Sequence, residues 1–143
     1  MEARHLLQFK LDGQNFAFSL EAVKRISMVT EYSVAYGDSD CLLGHITFEE
    51  ESLPLLNLRS ALSLKQRPIQ LEDQLIILTA NGFQFAVTVD SVSGVEIVET
   101  YFAPGAEQSQ LLSACIHNDD VIMILNVEKI RDAAAKPMQT VDS

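Results

Sequence analysis

Residues 16–58 and 85–127 align without a gap, and every pair is 69 positions apart. Phe16-Ala17-Phe18-Ser19-Leu20-Glu21-Ala22-Val23 matches Phe85-Ala86-Val87-Thr88-Val89-Asp90-Ser91-Val92. At the same offset, Leu42-Leu43-Gly44 matches Leu111-Leu112-Ser113, and Leu55-Leu56-Asn57-Leu58 matches Ile124-Leu125-Asn126-Val127. Nine of the 43 pairs are identical, Tyr32 with Tyr101 among them; the fixed offset and the matched apolar positions carry more weight than the identities. An internal duplication constrains a fold more than any single motif, because what one copy forms the other must also form.

Each copy reads as β structure. Leu7, Phe9 and Leu11 alternate with Gln8 and Lys10, the period of a half-buried strand. Asp12-Gly13-Gln14-Asn15 is a turn signal, and Phe16 to Leu20 is the return strand. Ile26 to Val29 resumes the strand. A loop with Tyr36-Gly37-Asp38-Ser39-Asp40 at its tip leads to a pair at Leu42–Phe48 and Leu53–Leu56. The second copy repeats this with Leu75–Leu78, an Asn81-Gly82 turn, Phe85–Val89, Val95–Val98, Cys115-Ile116 and Val121–Leu125. Asn-Gly is a strong hairpin signal, since both residues tolerate positive φ. Asn57 and Asn126 stand at equivalent places as N-caps of short helical stretches, 58–64 and 127–135.

Five short strands per copy suggest a small barrel. About 70 residues bury only a thin core alone, so the two copies are expected to share one. The expected organisation is a single domain over 1–136, with halves at about 6–64 and 73–133 and a flexible tail at 137–143. Lys65-Gln66-Arg67-Pro68 crosses between the halves. Val23, Ile26, Leu55, Leu56, Val92, Val95, Ile124 and Leu125 are the expected core.

Ten basic and twenty acidic residues give a formal charge of −10, a surface that repels nucleic-acid phosphates and anionic lipid. No run of 18 apolar residues offers a membrane span. Met1 to His5 shows no basic segment followed by an apolar one, the pattern of a secretory signal. Cys41 and Cys115 lie outside any Cys-x-x-Cys motif and read as free thiols of a cytoplasmic protein.

Glu49-Glu50-Glu51 interrupts a strand pair. Glu50 and Glu51 align with Asp119 and Asp120 of His117-Asn118-Asp119-Asp120, so both stretches read as solvated hairpin turns. Three adjacent carboxylates diverge and lack the glycine of a calcium loop. His5, His45 and His117 have no ligand spacing, and no nucleophile elbow, phosphate loop or His-Glu-x-x-His motif is present. Neither a metal nor another cofactor is called for, and catalysis is not expected. Exposed β surface without chemistry points to a binding module.

The ordered set of segments resembles the CheW-like domain of bacterial chemotaxis coupling proteins. The opening run Gln8-Phe9-Lys10-Leu11, Phe16 to Leu20 and Val23-Lys24-Arg25-Ile26 is similar to the family's. So are Leu43-Gly44-His45-Ile46, Leu53-Pro54-Leu55-Leu56-Asn57-Leu58-Arg59, Phe85 to Val92 and the closing segment 121–130. The resemblance covers roughly 6–133. It implies two intertwined five-stranded SH3-like barrels with a short C-terminal helix, and a cytoplasmic, non-enzymatic adaptor. The implied partners are a CheA-type histidine kinase and a chemoreceptor cytoplasmic tip, at receptor arrays on the inner face of the membrane without insertion into it. Leu20, Val23, Arg25 and Glu49 are the implied partner-binding positions.

Two family charges are exchanged here: the family's arginine is Glu49 and its glutamate is Arg25. The paired reversal predicts a salt bridge of exchanged polarity and altered receptor specificity in a divergent chemosensory or motility system. The alternative from the residues alone is a double β-barrel holding a small ligand between its halves.

Overall fold

A computed structural model describes residues 2–29, 33–34, 41–100, 112–117 and 119–132. The first repeat gives β1 (Glu2–Leu11), β2 (Gln14–Ser19), a 3-10 turn (Leu20–Ala22), β3 (Val23–Met28), β4 (Ser33–Val34), β5 (Leu42–Phe48), β6 (Glu51–Leu56) and α1 (Leu58–Ala61). The second gives β7 (Gln74–Ala80), β8 (Phe83–Val89), β9 (Ser91–Thr100), β10 (Leu112–His117) and β11 (Asp120–Leu125), followed by α2 over 127–132. Tyr32, Tyr101, the 36–40 loop tip, Leu111, Asn118 and the 137–143 tail lie outside the described residues.

The repeat reaches the backbone torsions. Asp12 and Gly13 have φ of 51° and 77°, and their counterparts Asn81 and Gly82 have 52° and 82°. Positive φ at both central residues is what a two-residue type I′ hairpin turn requires. Glu50 and Asp119, also counterparts, both sit at 68°. Each asparagine caps its helix as expected: the Ser60 N–H donates to Asn57 Oδ1 at 3.2 Å, and the Lys129 N–H to Asn126 Oδ1 at 3.3 Å.

The strands do not form one sheet per repeat. The five-stranded sheet runs β10-β11-β2-β1-β9 and the six-stranded sheet β3-β7-β8-β6-β5-β4. Each takes the opening hairpin of one repeat and the later strands of the other. The exchange is sealed by parallel pairing, Ile124 beside Ala17 on β11 and β2, and Leu55 beside Ala86 on β6 and β8. The duplication therefore yields two intertwined halves, as the fold of the resembled family implies, rather than one barrel per copy.

Three apolar clusters follow the same symmetry. Leu6, Ala17, Ile122 and Ile124 pack with Val98 on one sheet; their counterparts Leu75, Ala86, Leu53 and Leu55 pack with Ile46 and Ile77 on the other. The largest cluster joins Phe9, Phe16 and Phe18 from the first sheet to Ile76, Leu78, Phe85 and Val87 from the second. Phe9 and Phe18 meet at 4.7 Å between ring centroids. Burying each such side chain stabilises the fold by about 1.5–3 kcal/mol.

Four of the eight expected core residues, Leu55, Leu56, Ile124 and Leu125, are buried. Val23 and Val92 are partly buried against the main cluster. Ile26 and Val95 are exposed, at 37% and 52%. They are repeat counterparts, on β3 and β9, the edge strands beyond β7 and β1. An edge position has a neighbour on one side only, so an apolar residue there keeps much of its surface. No helix among the described residues is long and apolar enough to cross a membrane.

Candidate functional site

Leu20 lies in the 3-10 turn and Val23 opens β3; both are half-buried and pack on the main cluster. Arg25 follows on β3, opposite Ile77 of β7, and is exposed. Glu49 is the first residue of the β5–β6 turn, exposed, with φ of 50°.

The expected Arg25–Glu49 salt bridge is not formed. The Arg25 guanidinium lies over the Phe48 ring, 5.9 Å from its centroid. Among the ion pairs of the described residues, none joins Arg25 to Glu49. Ile77, opposite Arg25, belongs to the same apolar cluster on which Phe48 packs, so Arg25 and Phe48 share one side of the sheet, while Glu49 lies in the turn beyond the end of β5. The contact also brings β3, first strand of its sheet, to the end of β5, the fifth, so that sheet is strongly curled.

The glutamates form a turn. Glu49 and Glu50 are its two central residues, and Glu51 opens β6 opposite Phe48. All three are exposed. Among the described residues no group of three or more His, Cys, Asp or Glu is placed to hold a metal ion. His5 and His45 are exposed strand residues, and Cys41 is buried.

An ionic cluster that the sequence did not announce sits where the halves cross. Arg59, on α1, is almost buried. Its Nη1 donates to Asp12 Oδ1 at 2.8 Å, and its Nη2 donates to Asp90 Oδ1. Asp90 is the residue between β8 and β9, where the chain passes from one sheet to the other. The Asp12 N–H donates to Asp90 Oδ2 at 2.9 Å, and the Asp90 N–H donates to the Lys10 carbonyl at 3.0 Å.

Arg67, in the segment joining the repeats, completes the cluster. It donates to Asp90 Oδ1 and grips buried Asp73 through two bonds of 3.0 and 2.7 Å. Such bidentate pairing fixes geometry as well as charge. Burial pushes the Asp90 carboxyl up, but the Asp12 N–H and the Arg67 and Arg59 guanidiniums outweigh it and hold the group below the usual carboxylate range. Hydrogen bonding to Asp73, against burial and with help from Asp90, raises the Arg67 guanidinium further.

Two sequence signals pointed weakly to this cluster: Arg59 occupies a core-facing place in an apolar run, and Asp90 aligns with Glu21. The partnership of Arg59 with both aspartates is long-range, 47 and 31 residues away, and has no local signature. A shallow pocket beside the cluster, lined by Asn57, Arg67, Asp73, Thr88 and Asp90 among others, has room for about one water molecule, well short of a ligand.

A family model described as the CheW-like domain matches residues 5–135. Comparison with curated proteins finds no match. Among solved structures, the fold is similar to that of scaffolding protein TtCheW from Thermoanaerobacter tengcongensis, with a TM-score of 0.72 and 16% sequence identity. The match covers 87% of this chain and 90% of that one.

Proposed function

The chain belongs to the CheW-like domain family, and from that premise we propose that it is a non-enzymatic, cytoplasmic signalling adaptor. Its partners are a CheA-type histidine kinase and the cytoplasmic tip of a chemoreceptor, at arrays on the inner face of the membrane. The observation that carries the reading is the family match across 5–135 on a fold whose sheets exchange strands between repeats. Bridging requires two surfaces, and two related halves supply one each.

The partner surface includes Leu20, Val23, Arg25 and Glu49. Half-buried apolar groups flanked by exposed charges supply area at the centre and selectivity at the rim. Arg25 and Glu49 reverse the polarity a standard receptor tip would meet, so the specificity belongs to a divergent chemosensory or motility system. The unit is one domain over 1–136; strand exchange between 6–64 and 73–133 supports it, since neither half completes a sheet alone. Nothing in the water-sized pocket favours a small ligand.

The test is a binding assay of the purified chain against a CheA-type kinase regulatory domain and a chemoreceptor cytoplasmic fragment. Binding to at least one is expected, with Arg25→Glu weakening the receptor arm. Failure to bind either the kinase or the receptor of its own signalling system overturns the proposal.

A further inference from the structure

The chain passes between its two sheets at repeat-equivalent points, the 3-10 turn Leu20–Ala22 and the residue Asp90. Glu21 is the counterpart of Asp90. By symmetry the two crossovers should be held alike, and they are not.

At Asp90 the carboxylate takes two guanidiniums and a backbone N–H, and its own N–H is donated to Lys10. Two residues on, the Val92 N–H donates to Gln74 Oε1 at 2.6 Å. At the other crossover, the counterparts of Arg59, Asp12 and Asp90 are Glu128, Asn81 and Glu21, two carboxylates and an amide, while the counterpart of Arg67, Lys136, lies outside the described residues. Glu128, Asn81 and Glu21 are all exposed. Glu21 has no ion pair or side-chain hydrogen bond among the described residues, and the Val23 N–H returns to the Leu20 carbonyl of its own turn. A charge-assisted bond is roughly twice as strong as a neutral one, and the partly buried cluster is little screened by salt.

We propose that the two crossovers are unequal hinges: the Arg59–Asp90–Arg67 clasp fixes one, and the sheets shift relative to each other about the unclasped Leu20–Ala22 crossover. The free hinge carries Leu20 and opens onto Val23, so the motion reshapes the partner surface; this consequence, unlike the hinge itself, rests on the adaptor reading. A partner that prefers one setting of the hinge shifts its population and so alters the surface offered to a second partner.

Amide hydrogen exchange on the intact chain tests the hinge without any partner. Residues 20–24 are expected to exchange at least tenfold faster than 89–93, because local opening follows the weaker holding. Asp90→Asn should raise exchange at 89–93 at least tenfold and leave 20–24 nearly unchanged. If that variant fails to fold, Arg67→Gln, which removes only the linker's arm, should do the same to a smaller extent.

Transplanting the charges with Glu21→Asp, Asn81→Asp and Glu128→Arg should slow exchange at 20–24. Equal protection at the two crossovers in the parent chain, or a clasp variant that loosens both alike, overturns the proposal. Affinity for the receptor fragment, measured on the transplanted variant, should change at least threefold. A chain that binds no partner removes the adaptor reading, while the exchange comparison still decides the hinge.

Discussion

The guanidinium of Arg25 rests on the ring of Phe48, and the carboxylate of Glu49 is not its partner. The strand that presents Arg25 and the hairpin that presents Glu49 are thus tied through an aromatic ring. The two charges stay separately available to the proposed partner surface.

A double-mutant cycle distinguishes this arrangement from a salt bridge. Arg25→Glu and Glu49→Arg should each weaken receptor binding, and their effects should add within about 0.3–0.5 kcal/mol, as for uncoupled sites. Restoration by the double swap would mean that the charges act as a pair. In urea denaturation, Arg25→Gln combined with Phe48→Leu should show a coupling of about 0.5–1 kcal/mol, the size of an exposed cation–π contact.

The β5–β6 turn stores strain. Glu49 and Glu50 hold φ of 50° and 68° without being asparagine or glycine. Left-handed backbone costs an L-residue roughly 1–2 kcal/mol. Replacing the pair with Asn-Gly, as in the 81–82 turn, should raise stability by about 1 kcal/mol. The denaturation midpoint should rise with an unchanged slope. An unchanged midpoint would mean that the turn carries no such strain.

The main cluster belongs to both repeats, so unfolding should be one transition, with near-ultraviolet and far-ultraviolet probes coinciding. Phe85→Ala should cost about 3–5 kcal/mol and Ile124→Ala about 2–5 kcal/mol. Ile26→Thr and Val95→Thr, on exposed edge strands, should stay within about 1 kcal/mol. Two separated transitions would contradict the single domain.

Asp90 gives stability a defined acid limb. Its folded carboxyl titrates below the usual range, so its contribution is fully present above the unfolded value near about pH 4 and is lost as pH falls through the folded value. Stability should therefore fall with decreasing pH below about pH 4. Asp90→Asn should flatten that limb, lowering stability at neutral pH more than at acid pH. An identical pH slope in the variant would show that other carboxylates account for it.

Much of this fold is legible in the chain itself. The offset of 69 predicts which strands correspond, and the alternation in Leu7 to Leu11 and the Asn81-Gly82 turn predict the hairpins. The N-caps Asn57 and Asn126 are equally local. These features depend on neighbours within a few residues, whose geometry the peptide backbone transmits directly. The resemblance to the CheW-like domain likewise needs only the order of such segments.

Which hairpin joins which later strands is not local. Pairing β2 with β11 and β6 with β8 brings together residues of different repeats, and the repeat alone is equally compatible with two separate sheets. Only the packing of both hairpins into one apolar cluster decides it. Edge positions are decided the same way: Ile26 and Val95 look like core in a strand pattern, because periodicity reports a face and not how many strands cover it.

The sequence by itself determined the duplicated β unit, its turns, its caps and its kinship. The tertiary structure alone decided the strand exchange, the Arg25–Phe48 contact and the clasp of Arg59 and Arg67 on Asp90. The division has one physical cause. Torsional preference and hydrophobic period act over a few residues. Ion pairs and aromatic contacts depend on where folded segments meet in space, and a charge shows no partner until burial has removed its water.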